Sequence, residues 1–258
     1  MSHVKEFDQF VQSFDHAEQE TLRGQATQYD IFLEQLPEAA AFYDDLPIST
    51  TGILALNGAS GAGQSFVMDA VKILLKDMNL TLPRIYLLAT RPPRPNEGDR
   101  EPYIFVEETG NGYRDIYNPS ATYTPDDIYY FYQSRPGASN AILLADMWEA
   151  RVKKMYLETV IPTLLHIKTT AIGGLPAWGD LMRIVYLAAP DGIEWIFRLL
   201  QRQPEKLSDP AYRRQVLGRT GSSLDDLQLA AEDKIPVVLN RWGKANQAAR
   251  EIIAAWGL

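Results

Sequence analysis

The pattern of apolar positions changes from helical to strand-like near residue 50. Before that point, apolar side chains recur at spacings of three and four residues, first in Val4, Phe7, Phe10, Val11 and Phe14, and later in Tyr29, Phe32, Leu33 and Leu36. Such spacing places them on one face of a helix. Residues 1–50 are therefore predicted to be a helical N-terminal extension that packs on the main domain. The alternative is that these helices form a regulatory arm, or a dimerisation arm through which the protein is a homodimer.

A strand, a glycine-rich turn and a helix follow directly. Residues 52–57 form a short apolar run typical of a buried strand. Three glycines fall within 58–63, and residues 65–80 carry apolar side chains at helical spacing. This order predicts the first unit of an α/β fold.

The rest of the chain continues the alternation of strands and helices. Strands are predicted over residues 84–89, 103–106, 128–132, 141–145, 183–188 and 236–240. Helices are predicted over residues 147–168, 192–202, 210–217, 224–232 and 244–256. Alternating elements favour a mostly parallel sheet covered on both faces. The turn-rich stretch 107–127 is predicted to be a surface excursion.

Composition narrows the classes of function. The 258 residues include 25 Lys and Arg against 33 Asp and Glu, so the net charge is 25 − 33 = −8. A broad basic surface for nucleic acid is therefore not expected. The chain has no cysteine, which excludes disulfides, and its three histidines show no ligand spacing. We find neither a signal-peptide pattern nor a membrane-length apolar run, and expect a cytoplasmic protein without membrane partners.

The glycine-rich turn carries a pattern for binding phosphate. Its octapeptide is Gly58-Ala59-Ser60-Gly61-Ala62-Gly63-Gln64-Ser65. It matches the P-loop pattern at every fixed position except the lysine, which is replaced by Gln64. Glycines let backbone N–H groups turn toward one anion, and the helix N-terminus adds its dipole. The loop is predicted to bind ATP, with the Ser65 hydroxyl on Mg²⁺. Loss of the lysine charge is expected to cost on the order of 10²–10³ in rate.

A second motif lies about 26 residues further on. Residues 89–106 read Ala-Thr-Arg-Pro-Pro-Arg-Pro-Asn-Glu-Gly-Asp-Arg-Glu-Pro-Tyr-Ile-Phe-Val. Two arginines three residues apart on a proline-stiffened loop can grip one phosphate from two sides. The motif resembles guanylate kinases, in which Thr-Thr-Arg-x-Pro-Arg-x-Gly-Glu precedes Tyr-x-Phe-Val. The resemblance implies that Arg91, Arg94 and Tyr103 hold the phosphate of an acceptor nucleotide. Asn96 and Arg100 depart from the family pattern, and its guanine-reading segment is not recognisable.

Further positions extend the resemblance to residues 52–258. Asp146 follows a predicted strand and resembles the family's acidic residue near the acceptor. Arg198-Leu199, Arg202 and Arg213 reproduce the spacing of the family's lid arginines, which implies a lid over about 195–220 and catalytic roles for Arg202 and Arg213. Gln64 replaces the catalytic lysine. Asn240 resembles the asparagine that borders the donor base. The expected organisation is therefore a helical extension, 1–50, followed by a guanylate-kinase-like P-loop domain, 51–258.

Two main functions follow from this interpretation, beside a third in which residues 1–50 are a partner-binding or dimer helix pair and the kinase-like domain is a platform. The first is a nucleoside-monophosphate-kinase-like phosphotransferase that moves the ATP γ-phosphoryl group to a phosphorylated acceptor such as GMP, or to another small phosphorylated molecule. The second is a binding module without turnover, which recognises a phosphorylated ligand or partner through Arg91 and Arg94. The arginines and glycines favour the first, and Gln64 favours the second.

Overall fold

The computed structural model describes residues 2–44, 47–94, 97–98, 103–135 and 137–258, so Asn96 and Arg100 lie outside the described residues. The helices are α1 (Ser2–Val11), α2 (His16–Leu33), α3 (Ala39–Tyr43), α4 (Gln64–Asp77), α5 (Leu144–Ala150), α6 (Ile161–Thr169), α7 (Gly192–Leu200), α8 (Pro210–Glu232) and α9 (Ala245–Trp256). The strands are β1 (Gly52–Gly58), β2 (Leu87–Ala89), β3 (Tyr103–Thr109), β4 (Gly112–Asp115), β5 (Thr122–Tyr123), β6 (Ile128–Arg135), β7 (Ala138–Leu143), β8 (Lys154–Glu158), β9 (Met182–Ala188) and β10 (Val237–Leu239).

These elements divide between two compact units. The first unit contains Met1–Pro47, Leu56–Thr81 and Ile184–Leu258, and the second contains Ile48–Ala55 and Leu82–Arg183. The N-terminal helices thus belong to the same unit as the glycine-rich loop and the C-terminal third of the chain.

Helix α2 is held in the first unit by packing and hydrogen bonds. It begins with a capping box, in which Glu18 N donates to Asp15 Oδ1 at 2.9 Å and Asp15 N donates to Glu18 Oε2 at 3.1 Å. Its buried face packs on α7 and α8 and consists of Leu22, Ala26 and Tyr29. Near its end, Asp30 Oδ1 accepts a 2.7 Å hydrogen bond from Gly192 N at the start of α7.

Buried strands form the centre of the first unit. Strand β9 is buried along its whole length and pairs in parallel with β10, with Tyr186 opposite Val237. The end of β1 lies on the other side of β9, and α4 packs against α9. The carboxyl ends of β1 and β10 meet at one edge, because Asn240 Nδ2 donates to Ala62 O at 2.7 Å. The loops that follow β1 and β10 thereby lie next to each other at this edge of the sheet.

The second unit is built on a mixed sheet of order β5-β4-β3-β2-β7-β6. Strands β2 and β3 are parallel, while β3–β4, β4–β5, β2–β7 and β6–β7 are antiparallel. Its apolar cluster includes Leu88, Ile104, Val106 and Ala141. In the same unit, the start of β1 lies beside β8, and Gly52 N donates to Lys153 O at 3.3 Å. The chain is thus a mixed α/β protein.

Several sequence predictions are wrong in detail. The expectation of a mostly parallel sheet fails in the second unit, where hairpins such as β6–β7 dominate. The helix predicted over 147–168 is interrupted by β8, whose consecutive residues Met155, Tyr156 and Leu157 are all buried. Pro162 instead occupies the first turn of α6, where its missing N–H is tolerated. Conversely, the helices predicted over 210–217 and 224–232 are one continuous helix, α8.

Within the described ranges, no helix is both long and apolar enough to cross a bilayer. The same part of the chain contains no group of three or more His, Asp or Glu side chains arranged to hold a metal ion.

Candidate functional site

The glycine-rich loop adopts a backbone that only glycine tolerates. Gly61 and Gly63 have φ values of 98° and 87°, in the left-handed region. A Cβ atom at Gly61 would lie 2.9 Å from Leu199 Cγ, and one at Gly63 would lie 2.6 Å from Asn240 Nδ2. The loop therefore needs glycine at both positions for conformation and for space, as the P-loop pattern predicts.

Side chains from three later elements hold the loop's polar groups. Trp195 Nε1 donates to Ser60 O at 2.9 Å, and Ser60 N donates to Ser223 Oγ at 3.0 Å. Asn240 Nδ2 donates to Ala62 O at 2.7 Å. Because these partners fix the backbone on both sides of Gly61, the loop has one defined shape before any ligand arrives.

Backbone donors at the start of α4 remain directed out of the loop. The helix begins at Gln64 after Gly63, and its first backbone hydrogen bond runs from Val67 N to Gly63 O at 3.1 Å. The N–H groups before Val67 have no acceptor inside a helix, and they carry the positive end of its dipole. This arrangement favours an anion beside Gln64 and Ser65.

A cavity of about 710 Å³ opens next to these donors. Its lining comes from the loop and first turn of α4, from the end of α7, and from the segment after β10, namely Ser60, Gly61, Gly63, Gln64, Ser65, Phe66, Arg198, Gln201, Arg202, Asn240, Arg241, Trp242, Gly243 and Ala245. Three of these described lining residues are arginines, and none is Asp or Glu. The volume lies within the range for ligand pockets, and the charge favours an anionic ligand.

Arg202 is the cation with the clearest need for an anionic partner. Arg202 is exposed as a residue, but desolvation by the surrounding protein lowers the pKa of Arg202, and nearby Arg219 lowers it further. Within the described residues, Arg202 forms no salt bridge, although it lines the cavity. An anion in the cavity would offset the repulsion between Arg202 and Arg219.

Arg198 stabilises the loop through its hydrogen bonds. Its side chain is 9% exposed and pairs with Glu194 on the same helix. It also donates through Nη1 to Ala62 O at 3.3 Å and through Nη2 to Asn240 O at 2.6 Å. These bonds tie α7 to the loop and to the end of β10. Asn240, predicted to border the donor, is 6% exposed and likewise holds the loop.

The charge missing at Gln64 is not replaced by another lysine. Gln64 lines the cavity and carries no charge. Lys72 lies two turns further along α4, where its Nζ is 3.7 Å from Asp69. The positive charge of the cavity therefore comes from arginines, of which Arg202 and Arg241 have no described ion pair.

Arg213, predicted to be catalytic, lies away from this lining. Its Nε donates to Glu18 Oε2 at 2.8 Å, and its Nη1 donates to Leu207 O at 3.2 Å. Its guanidinium also lies 5.8 Å from the centre of the Phe14 ring. Arg213 thus connects α8 to the N-terminal helices.

The arginines of the second motif lie in the second unit and differ in environment. Arg91 is 9% exposed and forms two hydrogen bonds to Glu97, of 2.6 and 2.7 Å. These bonds raise the pKa of Arg91 and lower the pKa of Glu97. Glu97 Oε2 also accepts from Arg94 N at 2.9 Å. The Arg94 side chain is 60% exposed, and its Nη1 lies 3.8 Å from Glu97 Oε1. The Arg91–Glu97 pair thus shapes the loop, and Arg94 is the accessible cation.

Tyr103 belongs to a group of aromatic and hydroxyl side chains. The Arg91 guanidinium lies 5.1 Å from the centre of its ring, and burial raises the pKa of Tyr103. Tyr132 Oη lies 2.5 Å from Thr159 Oγ1 and accepts from Asn140 Nδ2 at 3.1 Å. The Tyr132, Thr159 and Asn140 contacts were not predicted, since no local spacing connects these positions.

Asp146 lies on a helix rather than at a strand end. Strand β7 ends at Leu143, and Asp146 falls in the first turn of α5 in the second unit. It is half-buried. A carboxylate in that position interacts favourably with the helix dipole.

Sequence reasoning missed several residues that complete the first-unit site. Arg241 and Trp242 directly follow Asn240 and line the cavity. Their position was available from the sequence, because carboxyl ends of parallel strands meet at one edge. Trp195 and Ser223, which bind the loop, carried no such signal.

Comparison with solved structures gives a distant likeness in fold. No family model and no curated protein matches the chain. Among solved structures, the guanylate kinase from Anaplasma phagocytophilum is similar at 10% sequence identity with a TM-score of 0.46. The match covers 80% of this chain and 84% of that chain. Residue roles in this protein therefore rest on the contacts described above.

Proposed function

We propose that this protein is a nucleotide-binding phosphotransferase whose loop 58–65 binds the phosphates of ATP. The observation that supports this most strongly is the cavity beside the first turn of α4, which is lined by three arginines and by no described carboxylate. Gly61 and Gly63 shape the loop so that the helix N-terminus faces this cavity. A polyphosphate satisfies both the helix donors and the arginines.

Different lining residues would bind different parts of ATP and Mg²⁺. The N–H groups at the start of α4 bind phosphate oxygens, and Arg202 neutralises their charge. Ser65 offers its hydroxyl to Mg²⁺, which in such sites keeps several waters and uses few protein ligands. When bound, ATP supplies the phosphoryl group and Mg²⁺ offsets the charge on its phosphates. Trp242, which is 49% exposed at the cavity, offers a surface to a base.

The acceptor phosphate is assigned to the second unit. Arg94 is the exposed cation there, while Arg91 is paired with Glu97 and holds the shape of the loop. Tyr103 and Asp146 remain proposed contacts of the acceptor. GMP or another small phosphorylated molecule is the proposed acceptor, and transfer is proposed to be slow because Gln64 provides no charge.

A binding module without turnover is the second candidate. Gln64 supports it, since a neutral side chain stabilises a transferring phosphoryl group less than lysine does. In that case Arg94 recognises a phosphorylated ligand, with Arg91 in support. This candidate gives no reason for the glycine geometry at Gly61 and Gly63.

ADP formation separates the two candidates. The assay uses full-length protein with ATP–Mg²⁺, with and without GMP, beside a Gln64→Lys variant. Acceptor-dependent ADP release by the wild-type protein supports the phosphotransferase. A silent wild type with an active Gln64→Lys variant supports the binding module. Silence from both refutes GMP as the acceptor.

A further inference from the structure

We propose that helix α2 of the N-terminal extension positions the phosphate loop, with Tyr29 acting through Trp195 as the main positioning contact. This proposal deepens the proposed function and rests on it for its biological meaning, although the positioning itself is independent of any ligand. The residues concerned all belong to the first unit.

The first connection runs from α2 through α7. Tyr29 is fully buried, and its ring stacks on Trp195 with centroids 4.5 Å apart and an interplanar angle of 17°. Its hydroxyl donates to Ala189 O at 3.1 Å, which fixes the ring against the end of β9. Trp195 in turn donates its indole N–H to Ser60 O at 2.9 Å. Any shift of the Tyr29 ring therefore reaches the loop through one rigid side chain.

The second connection runs from α2 through α8. Thr220 is fully buried, and its Oγ1 lies 2.7 Å from Gln25 Oε1 on α2. One turn further along α8, Ser223 Oγ accepts the hydrogen bond from Ser60 N at 3.0 Å. The N–H and C=O of Ser60 are thus held by two helices that both pack on α2.

The extension also fixes the start of α7 and the outer part of α8. Gly192 cannot carry a side chain, because its Cβ would lie 2.1 Å from Ala26 O on α2. Glu18 binds Arg213 on α8 at 2.8 Å. Helix α7, which carries Arg198 and ends two residues before Arg202, is consequently ordered by the extension before ligand binds. Such pre-organisation lowers the entropy lost when a ligand orders a site.

Hydrogen exchange of loop amides in the ligand-free protein tests the proposal. The Ser60 amide donates to Ser223, and the Ala62 amide donates to Ala59 O at 2.9 Å. Tyr29→Leu removes the stacked ring, and we expect these two amides to exchange about three- to tenfold faster, since roughly one hydrogen bond is weakened. Tyr29→Phe keeps the ring and is expected to exchange within about twofold of the wild type.

A matched control separates positioning from loss of global stability. Ile252→Ala removes a fully buried side chain on α9 in the same unit, a helix whose main helix partners are α3 and α4 rather than α2, α7 or α8. Loop exchange that accelerates in Tyr29→Leu but not in the control supports the proposal. Unchanged loop exchange in Tyr29→Leu, or equal acceleration in the control, overturns it.

A second variant keeps the test decisive if Tyr29→Leu does not fold. Trp195→Phe retains an aromatic ring beside Tyr29 and removes only the donor to Ser60 O. It is expected to accelerate exchange at Ser60 and Ala62 to the same three- to tenfold degree. Wild-type exchange in Trp195→Phe overturns the proposal. When both variants fold, their combination should give no further acceleration, because the two residues act in series.

Binding of inorganic tripolyphosphate distinguishes this proposal from the proposed function. If the loop is positioned by α2, Tyr29→Leu should weaken tripolyphosphate binding about three- to tenfold while Ile252→Ala leaves it unchanged. A wild-type protein that binds neither tripolyphosphate nor ATP refutes the proposed function, and the exchange measurement still decides the positioning role.

Discussion

Substituting Gly63 by alanine probes the geometry on which the phosphate site depends. Gly63 has φ = 87° and immediately precedes α4. A Cβ atom there would lie 2.6 Å from Asn240 Nδ2, which donates to Ala62 O at 2.7 Å. The Asn240 amide is 6% exposed and enclosed, so the added methyl group must displace it and break this hydrogen bond.

The cost can be divided into two parts. A left-handed backbone costs a non-glycine residue about 1–2 kcal/mol. Loss of the Asn240 hydrogen bond adds about 0.5–1.5 kcal/mol, the usual net value of one hydrogen bond. The cost is not higher because Ala62 O keeps a donor, Arg198 Nη1, at 3.3 Å. The expected destabilisation of Gly63→Ala is therefore about 1.5–3.5 kcal/mol.

Gly243 provides a matched control on the same cavity. It has φ = 68°, and a Cβ there meets nothing within 4 Å. Gly243→Ala should therefore cost only the backbone part, about 1–2 kcal/mol. Urea unfolding of both variants measures the difference, and tripolyphosphate titration should show weaker binding for Gly63→Ala alone. Equal stability and equal affinity in the two variants would refute the assigned loop geometry.

Three further predictions concern charge. Glu18→Gln should lower the free energy of unfolding by about 1–3 kcal/mol, as measured by thermal unfolding. This value lies between those of exposed and buried ion pairs, because the side chains of Glu18 and Arg213 are 15% and 14% exposed. A cost near zero would contradict this prediction. Burial, and then repulsion by Asp225, raise the pKa of Asp226 to about 6. Since its unfolded value is about 4, stability should fall as pH rises from about 4 to 6. Asp226→Asn should therefore gain about 1–2 kcal/mol in urea unfolding at pH 7.5 and little at pH 4; equal gains at both would contradict the shift. Gln64→Lys should bind tripolyphosphate about tenfold more tightly in calorimetry, and an unchanged affinity would place the phosphates elsewhere.

The phosphate loop was predictable because its information is local. Gly61 and Gly63 specify a left-handed backbone within a few residues, and the following apolar spacing specifies α4. The loop's supports were not predictable in the same way. Trp195 and Ser223 lie more than one hundred residues away in sequence, and no spacing rule connects either residue to Ser60.

The second unit shows a different limit of sequence reasoning. Consecutive buried residues in β8 are compatible with a strand or with part of a helix, and only their tertiary environment decides between them. The sequence likewise did not identify the side chain that pairs with Arg91. Glu97 belongs to the same motif, but its position did not reveal that it occupies the Arg91 guanidinium and leaves Arg94 exposed.

Calorimetric titration of the full-length protein with ATP–Mg²⁺, beside an Arg202→Gln variant, tests the central claim most directly. Arg214→Gln is the control, since it makes the same charge change at an exposed position of α8 outside the described cavity lining. The account predicts saturable binding by the wild type and by Arg214→Gln. Affinity should be at least about tenfold weaker in Arg202→Gln, because a charge-assisted contact to phosphate is lost. Absence of binding by the wild type, or equal affinity of all three proteins, would contradict it.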